Sequence, residues 1–321
     1  MKNLFKTTAY TFIICLSIFA TSCSNDDNND TPVVDNTITG IASKTADFSI
    51  LVQALTKAEL ATTLQGTGPF TVFAPTNAAF TAFLATGGYA SVNDVPKAAL
   101  TQILLNHVVS GAVKSTDLTT TYIKTLAKGT ASSTNNLSMF VNTASGKVKL
   151  NGVATVTTAD IIASNGVIHV VDKVIGLPTI VTHATANPNF TSLVGALTGA
   201  GQPDFVTILS GTGPFTVFAP TNDAFTALNT ELAPGGIASV SAANLTKVLQ
   251  YHVVSGNILA ASLTEGQIVP TSQTPQTFTV QLTGGAKIKD SNNRISTVVA
   301  TDVQCSNGVI HVLNKVLLPT L

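Results

Sequence analysis

The sequence predicts an α+β protein built as two tandem copies of one module. Three blocks recur in the same order in both halves. GTGPFTVFAPTN occupies Gly66–Asn77 and Gly211–Asn222, HVVSG occupies His107–Gly111 and His252–Gly256, and SNGVIHV occupies Ser164–Val170 and Ser306–Val312. The offset is 145 residues for the first two blocks and 142 for the third, so the copies differ in length by three residues between the second and third blocks. A period this long exceeds the ~20–50 residues of solenoid repeats, so each copy is expected to carry its own core. In each copy helix-periodic stretches come first and strand-like stretches last, the order of an α+β module with a largely antiparallel sheet.

The elements follow in order. In DFSILVQAL, residues 47–55, the apolar side chains Phe48, Leu51, Val52 and Leu55 fall on one helical face, with Asp47 placed to cap it; Phe190, Leu193, Val194 and Leu197 keep that register in the second copy. Gly66 and Gly68 mark a turn, Phe70–Phe73 has strand composition, Pro75 ends the strand, and Thr76 or Asn77 caps a short helix through Phe80 and Phe83. Pro96–Val109 reads as a helix with Leu100, Ile103, Leu104, His107 and Val108 on one face, matched by Leu245, Val248, Leu249, His252 and Val253; Gly111 and Gly256 follow as breakers. Met139–Val141, Lys147–Leu150, Val153–Val156 and Val167–Val171 are strand-like, and Asn151-Gly152 is a favoured hairpin turn. In the second copy Phe278, Val280 and Leu282 alternate before Gly284-Gly285, and Lys287–Lys289 follows. The boundary between modules falls near Leu177-Pro178.

The N-terminus reads as an export signal over residues 1–22. Lys2 and Lys6 precede the apolar run Tyr10–Ala20, which is too short for a bilayer span of about 20 residues. Ala20-Thr21-Ser22-Cys23 resembles the lipobox of bacterial lipoproteins, which implies lipidation at Cys23 and a membrane attachment through that anchor. Residues 23–36 are polar and free of aromatics, so a disordered tether is expected, and its acidic run resembles the surface-export signal of Bacteroidetes lipoproteins. Loss of Lys2 and Lys6 with the leader leaves 14 basic and 16 acidic residues. No basic run remains to neutralise several phosphates, so nucleic acid is not an expected partner. Charged residues are 10% of the chain, far below the ~25% of a typical domain, which leaves a surface of Thr, Ser, Asn and small apolar groups suited to polymers or other proteins. Beyond Cys15 in the leader and Cys23, only Cys305 remains, so no disulfide framework exists and Cys305 is expected to be a small buried packing residue.

Together these landmarks resemble the fasciclin (FAS1) domain family. TVFAPTNAAF at Thr71–Phe80 and TVFAPTNDAF at Thr216–Phe225 are similar to its first signature; NGVIHVVDKVI at Asn165–Ile175 and NGVIHVLNKVL at Asn307–Leu317 are similar to its second. The central Tyr-His pair is Tyr251-His252 in the second copy, whereas Asn106 replaces the tyrosine beside His107 in the first. The resemblance implies two FAS1-like domains, residues 37–178 and 179–321, each a wedge-like β-sandwich with packed helices. It also implies adhesion or surface interaction with an extracellular protein or polysaccharide, without catalysis. A monomer without cofactor, held at the outer membrane by the Cys23 anchor, is the expectation. In animal relatives the Tyr-His region and nearby segments are linked to integrin contact. Asn106 and the lack of any Arg-Gly-Asp sequence argue against carrying that role over.

His107, His252, His169, His311 and Tyr251 are the candidate interaction or structural residues. Each histidine lies on an apolar face, where a hydrogen-bonded core side chain is the expectation. A metal site pairing His107 with His169, or His252 with His311, would need a third ligand, and no carboxylate or cysteine recurs beside them. Asp160 and Asp302, like Asn165 and Asn307, recur and are expected to cap turns before the last strand. His183 has no counterpart and lies near the linker, so it is expected to be exposed. No Gly-x-Ser-x-Gly, His-Glu-x-x-His or Cys-x-x-Cys motif occurs. A non-catalytic glycan-capture accessory is the alternative reading, although the chain has no Trp and four Tyr for stacking on sugars. Specificity is expected where the copies differ, in Ser115–Met139 and Ala260–Thr277.

Overall fold

The computed structural model describes residues 35–321, so Cys23, the leader and most of the tether lie outside the described residues. Module 1 carries α1 (Ile38–Lys44), α2 (Ser49–Lys57), α3 (Ala61–Gln65), β1 (Phe70–Pro75), α4 (Asn77–Gly87), α5 (Lys97–Leu105), β2 (Val108–Ser110), β3 (Thr121–Gly129), β4 (Ser132–Asn142), β5 (Lys149–Leu150), β6 (Ala154–Ala163) and β7 (Gly166–Val171). Module 2 repeats the order with α6 (Ile180–Ala186), α7 (Thr191–Leu197), α8 (Phe205–Ser210), β8 (Phe215–Pro220), α9 (Asn222–Glu231), α10 (Ala242–Tyr251), β9 (Val253–Ser255), β10 (Ile268–Pro270), β11 (Thr277–Gln281), β12 (Lys287–Lys289), β13 (Ile295–Cys305) and β14 (Gly308–Leu313).

In module 1 the strands run in chain order around a closed barrel, sealed by the parallel pair β1–β7, with every other pairing antiparallel. Module 2 keeps the parallel pair β8–β14, but its seven-stranded sheet runs from β10 to β9 without a strand pairing between those two. A bond from the Ser272 N–H to the Val253 carbonyl, 2.7 Å, spans that gap.

Each module has two apolar cores, and the repeated strand lies between them. Val72 and Ala74 of β1 join the helix-side core with Phe48, Leu51, Phe80 and Leu100, while Phe73 points into the barrel with Met139, Val141 and Leu150. Val217 and Ala219 face the helices and Phe218 the barrel in the same way. A strand covered on both faces reads as a continuous apolar run rather than an alternating one, which accounts for Phe-Thr-Val-Phe-Ala-Pro in both copies.

Buried side chains fix the loops around this strand. The Asn165 amide donates to the Leu64 and Gly66 carbonyls at 2.7 and 2.8 Å, and its Oδ1 accepts the Ile38 N–H at 2.9 Å. Asn307 does the same with Leu209, Gly211 and Ile180. These asparagines therefore clamp helix ends, a larger role than turn capping. Gly68 packs so tightly on the Asn165 carbonyl that a Cβ would sit 2.3 Å from the oxygen, and its φ of +59° suits glycine.

Three local expectations are corrected. Asp47 makes no cap: a 3-10 turn at Ala46–Phe48 precedes α2, and Asn77, 27 residues on, accepts the Ile50 N–H instead. Helix α5 ends at Leu105, not Val109, because Val108–Ser110 pairs with β1 and His107 takes over the last turn by donating to the Ile103 carbonyl. Asp160 and Asp302 sit inside β6 and β13 at register shifts, with φ near +60°, and aim at distant backbone: Asp160 accepts the Ser115 N–H and Asp302 the Ala260 N–H, both at 2.8 Å. The Thr76 cap and the Asn151-Gly152 turn are as expected.

The two modules form one compact unit over Asp35–Leu321. β3 and β4 are 9 and 11 residues long, whereas β10 and β11 are 3 and 5, so module 1 alone extends an arm. The arm seats on module 2. Ala131 N–H donates to the Ser306 carbonyl at 2.9 Å, Gln304 N–H to Ser138 Oγ at 3.0 Å, and Lys124 Nζ to the Asp302 carbonyl at 2.7 Å.

Asn165→Ala strands one N–H and two carbonyls in module 1. We expect urea denaturation followed by circular dichroism to show a loss of about 2–4 kcal/mol, with Asn307→Ala producing the matching loss in module 2.

Candidate functional site

The four recurring histidines are all buried and all bonded to backbone. His107 Nδ1 donates to the Ile103 carbonyl at 2.8 Å, and Nε2 accepts the Ile175 N–H at 2.9 Å. His252 repeats this with Val248 and Leu317. Each ring thus joins the end of a helix to the segment that leaves the last strand. His169 and His311 use the opposite tautomer. Nε2 donates to the Val113 or Ile258 carbonyl, at 2.9 and 2.8 Å, and Nδ1 accepts the Asp160 or Asp302 N–H. His169 also stacks on Phe73 at 5.5 Å. Both nitrogens of all four rings are occupied by backbone, which leaves none to coordinate a ligand.

Tyr251 is fully buried, donates to the Thr277 carbonyl at 2.7 Å and accepts the Ser291 N–H at 3.1 Å. Its replacement Asn106 turns instead to the Gly176 carbonyl at 3.0 Å and to Thr125 Oγ1 at 3.2 Å. The tyrosine and asparagine therefore hold different segments of their barrels, and neither side chain reaches solvent. Among the described residues no group of three or more His, Cys, Asp or Glu could hold a metal ion, and no helix is long and apolar enough to cross a membrane. Cys305 is buried, and burial pushes its thiol pKa up, away from the reactive thiolate.

Two surface features went unnoticed in the sequence. Ile268, Thr279, Lys289 and Ile295 are register partners across β10–β13, with Ile268 and Ile295 67% and 46% exposed. Against the junction, a cleft of about 360 Å³ is lined by Lys124, Asn135, Asn136, Leu259, Asp302 and Gln304. The divergent segment Ser115–Met139 supplies part of that lining, but much of it is the arm and serves the junction itself. The signal for the cleft was the divergence; its other wall comes from Leu259, Asp302 and Gln304 of the second module. His183, expected to be exposed, is completely buried between the modules.

Burial holds the pKa of both His107 and His252 down to about 4, against the opposing pull of their bonded carbonyls. The unfolded chain titrates near 6.5, so below that pH it binds more protons than the fold, and stability is lost as pH falls from 6.5 through 4. Each residue contributes up to about 1.4 kcal/mol per pH unit to that slope. His252→Leu is expected to flatten the slope in urea titrations, and to cost about 2–3 kcal/mol at pH 7.5 by stranding Leu317 N–H and the Val248 carbonyl.

The fasciclin domain model matches the chain twice, over residues 46–178 and 188–319. Protein sll1483 of Synechocystis sp. is 41% identical over 145 residues, covering 44% of this chain and 74% of that protein. Human periostin is 29% identical over 269 residues, covering 80% of this chain and 29% of periostin. The solved FAS1 domain pair of the insect cell adhesion molecule fasciclin I covers 83% of this chain and 95% of its own, with a TM-score of 0.51 at 20% identity, a likeness of fold. With both signatures matched in each half and the same paired architecture, the chain belongs to the fasciclin domain family, in two tandem copies.

Proposed function

We propose that this chain is a lipid-anchored protein of the outer membrane, displayed at the cell surface, that binds an extracellular protein or polysaccharide through its tandem fasciclin domains without catalysis. One observation carries the reading: the histidines and the signature asparagines that recur in both copies are consumed inside the fold. His107, His252, His169, His311, Asn165 and Asn307 all bond backbone of their own module. These shared side chains are therefore scaffold, and recognition falls to the surfaces in which the copies differ. Kinship with a cell adhesion molecule, fasciclin I, supports that class of role, as does a surface poor in charge. Cys23 supplies the anchor and residues 24–36 the reach. Two faces on one compact unit let weak contacts gain from effective concentration.

The junction cleft favours a second reading, glycan capture. Its Asn135 and Asn136 side chains are planar amides of the kind that bond sugar hydroxyls, although Gln304 is already spent on Asn257 and on the Cys305 and Gly308 carbonyls, Asp302 holds the Ala260 N–H, and no aromatic lines the cleft for ring stacking.

Protease shaving of intact cells is expected to release the domains, and deletion of the gene to reduce attachment by several-fold. Unchanged attachment with the protein confirmed at the surface would overturn adhesion. On a glycan array, selective binding that Asn136→Ala weakens tenfold or more supports the second reading, and a blank array disposes of it.

A further inference from the structure

His183 is the anomaly of the junction. It lies on α6, the first helix of module 2, and has no exposed surface. Neither ring nitrogen has a hydrogen-bond partner, unlike the four other histidines. A buried imidazole left unpartnered is destabilising, and such groups in a folded protein call for an explanation. The helix itself does not need it: the equivalent position of α1 in module 1 is Ile41, which packs against that module's core.

The surroundings of His183 come from the other module. The Tyr122 ring of β3 meets it edge-on at 5.3 Å, and the Tyr122 hydroxyl accepts from Asn187, just past the end of α6, at 3.1 Å. Tyr122 also packs on Phe140 of β4 at 4.9 Å. The Ser138 carbonyl of β4 faces the ring but falls short of hydrogen-bond geometry. The charged group that bears on it is the Lys124 ammonium of β3, tied to Ser138 Oγ and the Asp302 carbonyl at 3.0 and 2.7 Å. The Asp302 carboxylate and the Cys305 thiol of β13 act on Lys124 rather than on His183, and burial keeps that thiol neutral. Among the described residues no carboxylate bears on the His183 ring. An imidazolium here would be dehydrated, without an acceptor in bonding geometry, and repelled by a lysine. Parting the modules removes the Tyr122 ring and the Lys124 ammonium from the imidazole and opens it to water.

We propose that His183 is an acid-operated release for the contact between the two modules: a proton on its ring parts α6 from the β3–β4 arm while both modules stay folded. Burial holds the ring's pKa down to about 3 in the closed state, and an exposed ring titrates near 6.5. The open state therefore binds more protons between those limits. Each pH unit below 6.5 shifts the closed-to-open ratio by up to tenfold toward open. The inference concerns the geometry of the unit, and stands whether or not the chain is an adhesin.

The test is a distance measurement on the full chain, with one dye at exposed Lys147 and the other at exposed Thr230. Between pH 7 and pH 4.5 energy transfer is expected to fall while far-ultraviolet circular dichroism holds. His183→Ile, which installs the residue module 1 carries at Ile41, is expected to abolish the change. Constant energy transfer, or the same response in His183→Ile, would overturn the proposal. Should that variant fail to fold, nuclear magnetic resonance titration of the His183 ring decides. Its midpoint must coincide with the opening, and a ring that stays neutral through the opening sinks the idea.

Discussion

Asn165 and Asn307 each sit where a helix start, a helix end and a strand start converge on the turn before the last strand. At that corner three backbone groups have turned away from any ladder, and one amide side chain satisfies all three. The asparagine's own carbonyl then accepts the first N–H of the buried strand, Phe70 or Phe215. A glycine presses against it because nothing larger fits. The helix layer, the central strand and the parallel partner strand are therefore registered on one residue per module. The histidines extend the principle to the far ends of the same strands, and Thr71 and Thr216 do so midway by bonding the loop after β2 or β9.

This arrangement explains which stretches of the two copies stayed alike. GTGPFTVFAPTN holds the glycine that touches the asparagine, the strand covered on both faces, a threonine that ties a loop, the Thr76 cap and the Asn77 clamp on α2. Nearly every position in it meets a distant backbone atom or a packed core, so few substitutions fit. By contrast β3, β4, β10 and β11 have edges and outer faces whose demands are set by whatever lies beside them. In module 1 that neighbour is module 2.

The copy number, the α+β order, the two-faced strand and the hairpin at Asn151-Gly152 were legible because each is written in local pattern or in repetition. The misreadings share a cause. Asp47 looks like a cap, but the Ile50 N–H is claimed by Asn77 from 27 residues away. The apolar face continues past Leu105, yet Val108 and Val109 are drawn into the sheet by β1. His183 looks like a linker residue, and Tyr122 on the arm of another module packs against its ring. Periodicity records which face of an element is apolar; it does not record which partner will cover a polar group. The candidate histidines were placed on the right faces for the same reason that their bonds stayed hidden.

The junction is heterologous: module 1 offers a strand arm, and module 2 offers a helix and the edge of β13 and its following turn. The two domains are thus complementary pieces rather than interchangeable copies. A chain with the order of its domains exchanged would still hold two complete folding units, since every clamp described here is internal to its own module. It would have no junction, because the short β10–β11 hairpin could not reach the turn at Ser164 as the arm reaches Ser306. Linear order is in this molecule a structural property, as binding as any hydrogen bond, and it gives the tandem a direction, with unlike surfaces from one module to the next.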